Sequence, residues 1–180
     1  MSHASDLLDN YRKFISLPWL PGQAAQQRSI FLVYNPPEEL KVRLLLGDFE
    51  SATKASGHGW ALAEADDWFA EWMSAQEYKE AYFEEPDLFS EEQLEPFADY
   101  VADRIVETAG AVAHDPDAVV AFAGAGSLFG LVRVREIADR VTRRISGRLA
   151  VFFPGNCNDN NFRLLDGYDG WDYMATVITA

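Results

Sequence analysis

The chain has 180 residues, enough for one domain with one hydrophobic core, because domains usually contain about 100–200 residues. Its composition, 48% hydrophobic and 24% charged, is that of a globular protein and excludes a chain that stays disordered. Its net charge of −14 argues against binding to a nucleic-acid backbone as the main activity and favours a basic or neutral partner.

The first half of the chain predicts two helices and two strands. These elements are a helix within residues 1–17, a buried strand over Arg28–Tyr34, a helix over residues 38–57 and a short strand over Trp60–Ala65. The first helix is expected to end before Pro18. Alternating apolar residues from Leu40 to Leu46 are also typical of a strand, which leaves an alternative within the second helix.

The second half predicts three more helices and three more strands. In chain order they are a helix capped by Asp66 that carries residues 68–73, a helix over residues 96–109, a strand over Val119–Ala123, a helix over residues 128–145, a strand over Arg148–Phe153 and a final strand over Tyr173–Thr179. Ser90 and Gln93 have the spacing of a capping box, but Pro96 would break a helix that began there. We therefore place the start of that helix at Pro96.

Strands that alternate with helices predict parallel pairing through right-handed crossovers. Four or five strands cannot close a barrel. The predicted fold is therefore α/β, a single three-layer sandwich over residues 1–180 with a mostly parallel sheet of four to five strands.

Charge is unevenly distributed along the chain. Residues 64–99 contain thirteen carboxylates and one base, Lys79, whereas residues 128–148 contain six arginines and two acids. Each region is consistent with an ordinary solvated helix face. The alternative is that the arginines, with Arg133, Arg140 and Arg144 as candidates, bind a nucleic acid or a partner, although the overall negative charge predicts at best weak DNA binding.

A glycine-rich turn follows the strand over residues 119–123, where phosphate-binding loops occur in α/β proteins. Its spacing, glycines at 124, 126 and 130, differs from the dinucleotide fingerprint, and Leu131 stands where a Walker loop needs lysine. Nucleotide hydrolysis is therefore not expected. Two interpretations remain, a tight structural turn or an anion site formed by Gly124, Gly126 and Ser127.

The segment 68–89 combines seven aromatic residues with many carboxylates. Aromatic anchors inside a charged rim are typical of energetically focused interfaces. The candidate partner-binding residues are Trp72, Tyr78, Tyr82, Phe83, Glu84 and Glu85. The alternative is that the aromatic residues belong to the core, because Trp68 and Trp72 lie one helical turn apart.

No catalytic, metal or cofactor motif emerges. Ser127 lacks the flanking glycines of a nucleophile elbow, and one cysteine, Cys157, forms neither an internal disulfide nor a zinc site. The sequence contains no run of about 20 apolar residues and no basic-then-apolar start. We expect a non-enzymatic, cytoplasmic protein without a metal, a cofactor or a membrane segment.

Six segments in order resemble the BrxB family, the small component of BREX bacteriophage-resistance systems. They are residues 33–37, 57–60, 69–73, 77–83, 126–130 with 133–134, and 151–155. The resemblance implies a prokaryotic assembly factor in phage defence with no assigned enzyme activity. It implies the alkaline-phosphatase-like protein PglZ as direct partner, with the ATPase BrxC and the methyltransferase PglX as further candidates. A nucleotide- or nucleic-acid-binding module with a degenerate phosphate loop is the alternative function.

Overall fold

The computed structural model describes residues 2–170 and 173–180. Within them the chain forms seven α-helices besides short 3-10 turns: α1 (His3–Ile15), α2 (Glu39–Leu44), α3 (Leu46–Ala55), α4 (Trp68–Ser74), α5 (Lys79–Glu84), α6 (Glu91–Ala109) and α7 (Val134–Thr142). The strands are β1 (Ser29–Tyr34), β2 (Gly59–Glu64), β3 (Ala118–Ala123), β4 (Arg148–Asn158), β5 (Asn161–Leu164), β6 (Gly167–Gly170) and β7 (Thr176–Ile178). The protein is thus mixed α/β, as the alternating pattern predicts.

Five strands form the parallel part of the sheet, in the order β2-β3-β4-β1-β7. All four neighbouring pairs on this path are parallel, and β1 lies beside β4 with Ser29 opposite Leu149. The central strands β1 and β3 are buried along their whole length. Continuous apolar runs such as these are what strands covered on both faces require.

The sheet has seven strands, so the prediction of four to five was wrong. Strand β4 runs past the parallel region, and its last residues pair antiparallel with β5, which pairs in turn with β6. The two added strands have only four residues each. Such short segments give too few alternations to stand out from a loop in the sequence.

Buried side chains form two clusters, one on each face of β1. Phe31 and Val33 belong to the first, together with residues of α4, α6 and α7, whereas Ile30 and Leu32 belong to the second, with residues of α1 and α3. The alternation follows from the two-residue period of a strand.

Three helices differ from their predicted bounds. The helix expected over residues 38–57 is divided into α2 and α3 at Leu45. Helix α6 begins at Glu91 rather than Pro96, because the Ser90 N–H donates to Gln93 Oε1 at 2.8 Å and caps the first turn. Exposed Pro96 is accommodated inside α6. The helix expected over residues 128–145 is shorter, because α7 starts only at Val134.

Two buried tyrosines lead to a prediction about alkaline pH. The Thr53 hydroxyl donates to the Phe49 carbonyl, so its oxygen accepts from Tyr11 Oη at 2.7 Å. The Tyr173 hydroxyl lies 3.0 Å from Ser29 Oγ. Burial raises the pKa of each phenol from 10.0 to about 12. The raised pKa stabilises the fold at pH values below 10, and this stabilisation is lost as the pH rises through 12.

We therefore expect the melting temperature to fall between pH 10 and about 12, with a late step in tyrosinate absorbance. Tyr11→Phe should remove part of that late step. If all seven tyrosines ionised together near pH 10 with far-UV circular dichroism still native, the burial argument would be contradicted.

Candidate functional site

The carboxyl ends of β1, β2 and β3 meet Pro154, where the parallel part of β4 ends, at a crevice of about 670 Å³. The connection after β1 packs on one face of the sheet, and those after β2 and β3 pack on the other. In α/β sheets such a change of face opens the position where ligands bind. Pro36, Leu40, Gly124, Ser127 and Pro154 are among the residues that line it.

The glycine-rich turn lies in this crevice, and its polar groups bond to one another and to Ala65, whose carbonyl oxygen lies 3.0 Å from the Ser127 hydroxyl. Gly124 has a φ of +81°, and a Cβ there would lie 3.0 Å from the Ala65 nitrogen, so glycine is required. The Ser127 hydroxyl donates to the Gly124 carbonyl at 2.7 Å, as does its N–H at 3.0 Å. The Gly126 carbonyl accepts a hydrogen bond from the Phe129 N–H. The interpretation as a tight structural turn accounts for all of these bonds.

One arginine, Arg43, lies among three carboxylates at the crevice. Arg43 donates to Asp66 at 2.6 and 2.8 Å and to Glu39 at 2.7 Å, and its Nη1 lies 3.4 Å from Glu64 Oε1. The hydrogen bond to Arg43 lowers the pKa of the Asp66 carboxyl. Three carboxylates around one guanidinium leave the crevice negative, which disfavours an anionic ligand.

This network was missed in the sequence, and Asp66 was wrongly predicted as a helix cap. Asp67 holds the cap position of α4, and Asp66 is instead bound to Arg43. The one available signal was the i, i+4 spacing of Glu39 and Arg43. Nothing in the sequence indicates the contact with Asp66, 23 residues away.

Two arginines of the basic region, Arg140 and Arg144, bind carboxylates of α6. Arg140 binds Glu95 and lies 3.4 Å from Asp99, and Arg144 donates to Asp103 at 2.6 Å. Arg133 instead lies over the Tyr168 ring at 5.8 Å. Two of the three candidate arginines are therefore already partnered by carboxylates, which weakens the case for nucleic-acid binding.

The acidic aromatic segment divides into a buried part and an exposed part. Trp72, a predicted partner-binding residue, is only 8% exposed and its ring lies 5.2 Å from that of Phe97. Its assignment to the partner surface was wrong, because α4 faces the core at helical spacing. Trp68 and Met73 are buried with it.

Beyond α4 several large side chains are exposed. Tyr78 is 64% exposed, Phe83 70% and Leu88 51%, and no residue of α5 is buried. Tyr82 is half-buried, with its ring 5.0 Å from that of Phe89. Glu84 and Glu85 are exposed. We name Tyr78, Phe83 and Leu88 the α5 patch.

Leu88 was not among the predicted residues. The signal available for it is an apolar side chain two residues after Pro86 in an acidic stretch, where the structure has only a three-residue 3-10 turn.

Comparisons with known proteins give no assignment. The chain matches no protein-family model, no curated protein and no solved structure. Among the described residues, no group of three or more His, Cys, Asp or Glu side chains is placed to hold a metal ion. No helix in the described part of the chain has the length and apolar content needed to cross a membrane.

Proposed function

We propose that this protein is a non-catalytic adaptor that docks another protein through the α5 patch. The observation that supports it is the exposure of three large apolar side chains at α5, a short helix that buries none of its own residues. Phe83 lies in α5, Tyr78 directly precedes the helix, and Leu88 lies in the short turn that follows it. Isolated exposed apolar residues are normal on a protein surface, but a group rimmed by charge marks an interaction site. Removing such a group from water on docking is favourable.

The rim of the patch defines the chemistry of the partner. Five carboxylates lie within residues 77–87, and Lys79 is the one base. A complementary surface has an apolar centre and a basic edge. Opposite charges at the rim speed encounter and select the partner, whereas the apolar centre supplies most of the affinity.

We further propose that the protein belongs to a BREX phage-defence complex and that PglZ is the partner. The support is the resemblance to the BrxB family over residues 33–155, with BrxC and PglX as further contacts. The proposal includes a three-layer α/β domain without enzyme activity, acting in the cytoplasm. The ion pairs of Arg140 and Arg144 favour this adaptor over the alternative of a nucleic-acid-binding module.

The test is the affinity for purified PglZ of a Tyr78→Ser, Phe83→Ser double variant. Each aromatic anchor, when fully desolvated, contributes about 2 kcal/mol, so we expect binding to weaken by at least about 100-fold. Neither side chain is buried, so the melting temperature should barely change.

The matched control is Leu17→Ser with Leu20→Ser. These leucines are 60% and 72% exposed and follow α1, whose buried residues belong to the opposite core cluster. The control should bind like the wild type. Unchanged affinity of the folded Tyr78→Ser, Phe83→Ser variant would place the interface elsewhere, and no binding of the wild type to PglZ would refute that partner.

A further inference from the structure

A second cavity, of about 450 Å³, lies between the first turn of α6, the loop over residues 129–133 and the β5–β6 hairpin. No residue of the described chain that lines this cavity is among those that line the crevice at the carboxyl ends of the strands. One of its lining residues, Glu91, is three residues after Leu88 of the α5 patch in the sequence. Two residues singled out in the sequence, Gly130 of the glycine-rich turn and Arg133 of the basic region, are part of its lining.

Two aromatic rings form open walls of this cavity. Phe129 is 47% exposed and Tyr168 is 49% exposed. The Phe129 ring packs on the backbone of Gly167, where a Cβ would lie 2.6 Å from ring atom Cε2. The other large apolar side chains of the lining are Leu94, Leu131, Val132 and Leu164. The rings are thus presented to solvent and are held in place by the hairpin.

The charged groups of the lining are mostly acidic. Glu91, Glu95 and Glu136 line the cavity, with Arg133 as the one cation in the lining. Glu95 binds Arg140, whereas Glu91 and Glu136 form no ion pair among the described residues. Two carboxylates are therefore available to a ligand.

An anionic ligand does not suit this cavity. The N-terminus of α7, which borders it, is the group that would attract an anion. The Asp169 carboxylate already accepts the N–H groups of Val134 at 2.7 Å and Arg135 at 3.0 Å. Asp169 is 3% exposed, so a buried carboxylate of the protein itself already occupies the N-terminus of α7.

We propose that the cavity binds the side chain of a lysine or arginine from the docked partner. The inference rests on the proposed adaptor function and names the group that the partner inserts beside the α5 patch. A cationic side chain joins an apolar stem, which suits the two rings, to a charged end, which suits Glu91 and Glu136. The Arg133 guanidinium, 5.8 Å from the Tyr168 ring centre, makes the same kind of contact within the chain.

The experiment uses the whole chain and a small probe, N-acetyl-arginine amide, followed by NMR. We expect amide shifts within residues 129–136 and 164–169. Its neutral isostere, N-acetyl-citrulline amide, should cause weak shifts or none. A Glu91→Gln, Glu136→Gln variant should bind the arginine probe about tenfold more weakly, because two charge-assisted contacts are lost.

The matched control is Glu107→Gln, which removes an exposed carboxylate of α6 outside the cavity and should bind like the wild type. Equal shifts from the two probes, or arginine shifts that the Glu91→Gln, Glu136→Gln variant retains, would overturn the inference.

Affinity for PglZ separates the two proposals. If the Glu91→Gln, Glu136→Gln variant binds PglZ as tightly as the wild type while Tyr78→Ser with Phe83→Ser does not, the cavity inference fails and the adaptor proposal stands. If the arginine probe binds as expected but neither set of substitutions changes the affinity for PglZ, the α5 patch is not the docking surface for PglZ. The cavity then binds a cation, but the proposal that its occupant is a side chain of PglZ is refuted.

Discussion

Replacing Trp72 with alanine is expected to lower the free energy of unfolding by about 3–5 kcal/mol. The side chain is only 8% exposed, and its ring lies 5.2 Å from Phe97 and 6.1 Å from both Phe69 and Phe89. Removing it leaves a cavity between α4 and α6 that these rings cannot fill. Urea unfolding measures the effect as a lower midpoint with an unchanged slope.

Trp72→Phe is the companion variant, because it keeps an aromatic ring and should retain much of the lost stability. It also covers the case in which Trp72→Ala does not fold, since total stabilities are only about 5–15 kcal/mol. A Trp72→Ala protein as stable as the wild type that no longer bound PglZ would return Trp72 to the partner surface.

Replacing Gly147 with alanine is expected to lower the free energy of unfolding by about 3 kcal/mol or more. A Cβ at this position would lie 2.1 Å from the Ala118 carbonyl oxygen and 2.8 Å from that of Asp115, and both are backbone atoms. The start of β4 would have to move away from β3. Such a movement would also disturb the Gly147 carbonyl, which accepts from Arg28 Nη1 at 2.5 Å.

Gly47→Ala is the matched control for this substitution. Gly47 lies in α3, where a Cβ would meet nothing within 4 Å, and alanine is the better helix former. The control should be as stable as the wild type or more so. Thermal melts that placed both variants at the wild-type temperature would contradict the close packing of β3 against β4.

The three central strands could be predicted because their residues carry a strong local signal. Residues 28–34, 119–123 and 148–153 are continuous apolar and β-branched runs, and the structure has β1, β3 and β4 there. A strand that is buried on both faces needs such a run whichever strand lies beside it. The order of the strands has no comparable local signal, because it depends on contacts between distant segments.

The start of α6 shows two local signals in competition. The capping box of Ser90 and Gln93 favoured a start at Glu91, and Pro96 opposed it. The cap prevailed because Pro96 is exposed near the start of the helix, while Phe97 and Val101 anchor the following turns in the core. Burial, which the sequence does not give directly, decided the outcome.

The candidate surfaces were only partly predictable, because exposure changes within one segment. Helical spacing in residues 68–73 correctly favours the core alternative for Trp68 and Trp72. Tyr78 and Phe83 follow a break after α4 and are exposed. The ion pairs that join α6 to α7 and to the residues just after α7 connect positions about 40 apart, such as Arg144 and Asp103. Pairs at that separation leave no pattern in the sequence.

The most direct test of the adaptor proposal is amide hydrogen exchange of the whole chain with and without saturating PglZ. Helix α5 buries no residue, so its amides should exchange rapidly in the free protein. Docking on the α5 patch predicts slower exchange across residues 79–89, with no change in the segment that carries Leu17 and Leu20. Unchanged exchange over residues 79–89 in a saturated complex would contradict the proposed interface.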